Sequence, residues 1–201
     1  MAAAIGSRLP INEVTGSMVV DIGGGTTEVA VISQYAIAYS ESLRVAGDEM
    51  DEAIRRYIRR EHGLAIGSFE AERIKIAAGS AWPLSAPEET DASGIDVTTG
   101  IPRVIKVTSE MTREALEGPV KAIVESIRKA LAKSSPELAA DITRRGIVIA
   151  GGGSLLKGLG PRLHAETDLA IYRAKDPLTA VVRGTGYALD HYKILKQVCL
   201  N

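Results

Sequence analysis

Two runs of three glycines constrain this chain more than any other feature. Gly23-Gly24-Gly25 follows the β-branched-rich run 17–22, and Gly151-Gly152-Gly153 follows the apolar run 147–150. Bare backbone at the end of a buried strand serves a tight turn or a ligand, because a Cβ blocks the approach of phosphate to converging N–H groups. The first run stands in Asp21-Ile22-Gly23-Gly24-Gly25-Thr26-Thr27, which adds two hydroxyls and a strand-end carboxylate. Asp21 is placed to face a phosphate-bound Mg²⁺ through water, since that ion keeps part of its hydration shell. The second run leads through Ser154 into an expected helix, whose N-terminus would add positive potential beside an adenine or ribose. Taken singly, each run fits a hairpin or a close-packed strand–helix junction as well as it fits a ligand. Two of them, each ending a core strand, favour a nucleotide. Neither is a dinucleotide fingerprint, since Leu156 stands where a third spaced glycine belongs, and no G-x-x-x-x-G-K-[ST] run exists.

The residues between the glycine runs order themselves into an α/β pattern. Alternation over 27–32 predicts a strand paired back on 17–22, and 36–45 predicts a third, so the chain opens as an antiparallel meander. The clearest helix is 47–61. Asp48, Glu49, Asp51 and Glu52 fill its first turns and Arg55, Arg56, Arg59 and Arg60 its last, opposing the helix dipole at both ends. A second helix is expected over 68–81, with Ser68 as its N-cap and Pro83 beyond its end. From 83 to 100 the composition turns to Pro, Ser, Asp, Thr and Gly, with short strands expected at 95–97 and 103–108. Leu116, Val120, Ile123, Val124, Ile127 and Leu131 then recur at helical spacing. Gly118-Pro119 is expected to kink or restart that helix. A strand at 147–150, a short helix, a strand at 169–172 and a final helix over 177–195 complete the pattern, which has a meander at one edge of its sheet.

Several functions lose support. A net charge of −1 gives no field that favours nucleic acid. His62, His164 and His191 are scattered, and the single cysteine, Cys199, has no partner for a disulfide or a zinc site. No apolar stretch is long enough to span a bilayer, and the opening residues carry no signal-peptide pattern. The arginines of 55–60 read as a solvated helix face balanced by the acids before them.

Longer stretches carry a specific resemblance. Residues 16–33, 44–54 (Arg-Val-Ala-Gly-Asp-Glu-Met-Asp-Glu-Ala-Ile), 71–75 (Ala-Glu-Arg-Ile-Lys), 146–154 and 176–179 (Asp-Pro-Leu-Thr) match the MreB family of bacterial actin-like cell-shape proteins in order and spacing. The resemblance covers essentially the whole chain. It implies an RNase-H-like actin-family domain II, with residues 1–82 and 109–201 as the core (IIA) and 83–108 as the heart of a small inserted subdomain (IIB). It implies ATP or GTP with Mg²⁺. Gly23, Gly24, Gly25 and Thr26 would hold phosphates, Glu72 and Lys75 would reach ribose and base, and Gly151, Gly152, Gly153 and Ser154 would line the adenosine. Residues three apart share a helix face, which agrees with Glu72 and Lys75 meeting one ligand. The resemblance further implies a cytoplasmic, membrane-associated filament that self-associates, works with membrane cell-wall elongation proteins and guides wall synthesis, with no role for nucleic acid.

By the same resemblance the chain looks like a fragment lacking an N-terminal half. That half would carry the first phosphate loop, the catalytic acids and the membrane-inserting surface, so little or no ATPase activity is expected of this piece. Gln34-Tyr35 and Ala46 depart from the family, which usually shows glycine there. The alternative is half of a sugar kinase or of an Hsp70-like chaperone ATPase, which would share the glycine loops but not 44–53 or the 96–106 insert.

Overall fold

The computed structural model describes residues 1–199. Leu200 and Asn201 lie outside the described residues, and so does the Cys199 side chain with the reading made of its thiol. Strand β1 (Ser17–Ile22) is the centre of the molecule. Its alternating Met18, Val20 and Ile22 are wholly buried on one face of the sheet, while Val19 is buried on the other. A strand covered on both sides needs apolar residues at consecutive positions, which explains the unbroken Met18-Val19-Val20. Strand β2 (Thr27–Ser33) pairs antiparallel with β1, Val20 opposite Val29, and β3 (Ala36–Leu43) pairs antiparallel with β2. The meander read from the sequence is therefore present.

Its second turn uses no glycine. Gln34 and Tyr35 have φ of 48° and 65°, the left-handed pair that a tight hairpin turn demands. Their N–H groups donate to Glu13 O (2.8 Å) and Ile11 O (2.6 Å). That bracing offsets the strain of side chains in a region glycine occupies freely.

The remaining strands come from far along the chain. β4 (Leu64–Ala65), β5 (Glu89–Asp96) and β6 (Pro102–Thr108) make a separate antiparallel sheet in the order β4-β5-β6. β7 (Ile147–Ala150) lies parallel to β1, and β8 (Ile171–Arg173) parallel to β7. The main sheet runs β3-β2-β1-β7-β8, the RNase-H-like arrangement that the family resemblance implied.

Helices cover both faces. α1 (Ala2–Gly6) is short. α2 (Gly47–His62) begins with Asp48 and Glu49, carries Arg59, Arg60 and His62 in its last turn, and ends at Gly63 in a left-handed cap with φ 59°. Its arginines pair with helix acids, Arg55 with Glu52 (2.5 Å) and Arg56 with Glu49 (2.6 Å), as a solvated face should. α3 (Ser68–Ala78) is shorter than expected. Gly67 is its N-cap, not Ser68, and the helix stops before Ala81, whose N–H donates to Lys157 O at 2.8 Å.

α4 (Ser109–Lys133) spans 25 residues without interruption, so Pro119 neither ends nor restarts it. Leu116, Val120, Ile123, Val124 and Ile127 of α4 pack with Met50, Ile54 and Ile58 of α2 and with Met18, Val20 and Ile22 of β1, forming the main core. Burying one such isoleucine is worth about 1.5–3 kcal/mol. α5 (Pro136–Arg145) and α6 (Leu159–Thr167) follow. The expected final helix is two, α7 (Ala180–Asp190) and α8 (Tyr192–Cys199), divided at His191 and preceded by a 3₁₀ turn at Pro177–Thr179. α1 and α7 cross with backbones nearly touching. A Cβ added to Gly6 would fall 1.8 Å from Ala180 O, and one added to Gly184 would fall 1.9 Å from Ala2 O.

Candidate functional site

The turn after β1 is built to present backbone. Gly23 N–H donates to Thr26 O (2.9 Å) and closes the hairpin. The start of α2 then docks on it, with Gly47 N–H donating to Gly23 O (3.1 Å) and Asp48 N–H to Gly24 O (2.8 Å). Thr27 Oγ1 ties the other side to Val45 O at 2.7 Å. The carbonyls of Gly23 and Gly24 are thus occupied. Among the described residues, none accepts a hydrogen bond from the N–H of Gly24 or Gly25. Neither glycine has a left-handed φ, so their smallness serves access and not conformation.

A cleft of about 500 Å³ opens beside this turn. Gly23, Gly24, Gly47 and Asp48 form one side of its lining, Glu72, Lys75 and Ile76 of α3 another, and Gly152, Gly153, Leu155, Leu156, Lys157 and Leu178 a third. The fully buried Met50 also contributes. A volume of that size, apolar with a few convergent polar groups, suits a small organic ligand. Lys75 is held firmly, its Nζ donating to Asp51 Oδ2 (2.8 Å) and Gly47 O (3.1 Å). Burial pushes the Asp51 carboxyl above its usual range, against the pull of Lys75.

Of the residues singled out from sequence, Gly23, Gly24, Glu72, Lys75, Gly152 and Gly153 meet in this cleft, while Asp21, Gly25, Thr26, Gly151 and Ser154 do not line it. Ser154 is wholly buried and its Oγ donates to Gly151 O at 2.7 Å, which closes the turn. Gly151 has φ 79°, and a Cβ there would meet Ile22 O at 2.3 Å. A Cβ on Gly153 would meet Ile22 Cγ2 at 2.3 Å. Packing alone therefore requires two of the second run's glycines. Gly152 is the freer one, 3.2 Å from the flexible end of Leu178.

The segment after Gly151 is a 3₁₀ turn, Gly152–Leu155, and not the expected helix start. So short a turn offers little dipole to a ligand. Asp21 sits at the end of β1, its Oδ1 2.6 Å from the Cβ position of Gly151. Burial, then the neighbouring Glu28, holds its carboxyl above the ordinary range. Among the described residues no cluster of three or more His, Cys, Asp or Glu side chains is arranged for a metal.

Sequence reasoning missed Gly47, Asp48, Met50, Ile76, Leu155, Leu156, Lys157 and Leu178. The only local signal for them was Gly47-Asp48 opening an acid-rich helix. A larger cavity, about 610 Å³, lies among α1, Tyr35, Arg183 and Tyr187. It carries no glycine turn with spare N–H groups, and its Arg183 is already paired with Asp176. The chemistry points to the smaller cleft.

Known proteins place this arrangement. The model of the MreB/Mbl protein family matches residues 1–197. The chain belongs to the MreB/Mbl family. It is 50% identical over 190 residues to the cell shape-determining protein MreB of Escherichia coli, covering 94% of this chain and 55% of that protein. It is 44% identical over 189 residues to the cell shape-determining protein Mbl of Bacillus subtilis, covering 94% and 57%. The chain thus spans about half the length of the curated relatives it matches. Its fold superimposes on the crystal structure of MreB5 of Spiroplasma citri bound to ADP with a TM-score of 0.93, at 35% identity over 96% of this chain and 58% of that one. MreB/Mbl membership sets the chain among actin-like cell shape-determining proteins, and the sugar-kinase and chaperone alternative is set aside. No helix among the described residues is long and apolar enough to cross a membrane.

Proposed function

We propose that this chain supplies one wall of the nucleotide site of an actin-like filament protein that binds ATP or GTP with Mg²⁺. The observation that carries the reading is the meeting of the unpartnered Gly24 N–H with Glu72 and Lys75 in one cleft. The N–H suits a phosphate oxygen, the Glu72 carboxylate suits ribose hydroxyls, and the Lys75 ammonium suits an acceptor on the ligand. Two structural neighbours, MreB5 of Spiroplasma citri bound to ADP and to AMPPNP, support a nucleotide as the ligand. Asp21 fits an outer, water-mediated role toward Mg²⁺, because its carboxyl lies at the strand end before the glycine turn and not in the cleft lining. When bound, the ion would neutralise phosphate charge. Self-association into filaments, contact with membrane cell-wall elongation proteins and guidance of wall synthesis belong to the same reading, in which the relatives' cell shape-determining names support the role in shape.

Gly24→Val tests the site cleanly. A Cβ at Gly24 would lie 3.5 Å from Asp48 Oδ1, an ordinary contact, so the fold accepts it. The added methyls crowd the space where backbone must approach phosphate. Calorimetric titration with Mg²⁺ and ATP is expected to show a large loss of affinity with an unchanged melting temperature. Equal affinity for both proteins would remove the phosphate from this turn.

A further inference from the structure

Lys75 has three N–H donors on its ammonium. Two are committed to α2, to Gly47 O at 3.1 Å and to Asp51 Oδ2 at 2.8 Å. Because the donors are tetrahedral, the third is directed away from α2, and Lys75 lines the cleft on that side. The pair is sheltered, with side-chain exposure of 17% for Lys75 and 14% for Asp51. Asp51 bears a cost for this placement, since its second oxygen, Oδ1, is buried without a partner.

We infer that Asp51 is a positioning residue for the nucleotide: it fixes the Lys75 ammonium so that a single N–H faces an acceptor on the ligand. Lysine otherwise sits on a flexible stem of four carbons, and fixing it before the ligand arrives lowers the ordering cost of binding. The same ammonium bonds the carbonyl of Gly47, whose own N–H holds the carbonyl of Gly23. Asp51 thereby sets Lys75 and the glycine turn in one frame. This inference rests on the nucleotide reading of the cleft.

A double-mutant cycle tests it. Binding of a fluorescent ATP analogue with Mg²⁺ is measured for the 201-residue chain, for Asp51→Ala, Lys75→Met and their combination, and for Gly24→Val. Asp51→Ala and Lys75→Met are each expected to weaken binding about tenfold, the worth of one charge-assisted hydrogen bond. The combination should be no weaker than Lys75→Met alone, because Asp51 acts only through Lys75. Asp51→Asn keeps an acceptor for Nζ and should regain most of the affinity. Should Asp51→Ala unfold, Asp51→Leu, which fills the site without offering Nζ an acceptor, carries the cycle.

Additive losses in the combination, or wild-type binding by Asp51→Ala while Lys75→Met and Gly24→Val lose affinity, would overturn the positioning role and leave the site intact. Wild-type binding by Gly24→Val would sink the cleft reading and this inference with it.

Discussion

Gly153→Ala adds one methyl group at the tightest point between the second glycine run and the central strand. The new Cβ would stand 2.3 Å from Ile22 Cγ2, 3.0 Å from Ile22 Cβ and 3.1 Å from Ile22 O. Carbon atoms settle at roughly 3.5–4.0 Å, so the first contact overlaps by more than an ångström. Ile22 has no room to yield. It is wholly buried and ends β1, which has partners on both sides. Overpacking of this kind costs about 1–3 kcal/mol. For a domain of this length each kcal/mol lowers the melting temperature by roughly 2–4 °C, so a fall of about 2–12 °C is expected.

Gly24→Ala is the matched control. Its Cβ meets nothing closer than 3.5 Å and its φ is not left-handed. Loss of unfolded-chain freedom is worth about 0.4–1 kcal/mol in its favour, so its melting temperature should hold or rise slightly. Thermal unfolding followed by circular dichroism, without nucleotide, distinguishes the two. If Gly153→Ala melts with the wild type, or Gly24→Ala falls as far as Gly153→Ala, then dividing the glycines into packing and access positions is wrong.

Two other outcomes follow from the same structure. Charge reversal at Lys106 removes an exposed pair with Glu89 (3.2 Å), which contributes little to the fold, and reversal at Arg103 removes a half-buried pair with Asp96 (3.3 Å) and a bond to the His62 carbonyl. If the small sheet forms a subunit contact, Arg103→Glu or Lys106→Glu should reduce filament sedimentation more than nucleotide affinity, and the opposite ranking would move the contact elsewhere. Asp21→Asn addresses a carboxyl whose folded pKa is raised, chiefly by burial. The unfolded chain therefore ionises first, and the folded state loses ground as pH rises through and above about 4. In buffer without nucleotide or Mg²⁺, Asp21→Asn should melt higher than wild type at pH 7. The gain should disappear below about pH 3, and a gain independent of pH would refute the assignment.

What the sequence made legible was local. The β1–β2–β3 meander follows from alternation and glycine punctuation, and α2 from its acids and its arginines. Elements that depend on distant partners stayed hidden. Leu64–Ala65 becomes a strand because Asp96 and Ile95 pair with it, and two residues alone show no period. α3 ends at Ala78 because Lys157, far along the chain, captures the backbone of 80 and 81. Of the kink or restart expected at Gly118-Pro119, the restart did not occur; Pro119 is buried within a helix whose packing on α2 and the sheet outweighs its missing N–H. The candidate site was half legible for the same reason. Glycines and the Glu72–Lys75 spacing announce themselves, whereas Leu178 and Lys157 reach the cleft only through tertiary packing. Ser154 resembles a ligand until its hydroxyl is seen to close its own turn.

The central place of β1 has a consequence for synthesis. β1 receives β2 within a few residues, but its other edge must wait for β7, which begins at Ile147. At roughly 5–20 residues per second on the ribosome, the stretch from Ile22 to Ile147 takes about 6–25 s to emerge. Throughout that interval a finished hairpin carries an open edge beside Met18 and Val20, which is the surface that recruits foreign strands. Slower elongation lengthens the exposure, and higher expression multiplies the number of open edges present at once. The yield of folded chain is therefore governed in part by traffic on the ribosome, well before the cleft beside the glycine turn exists.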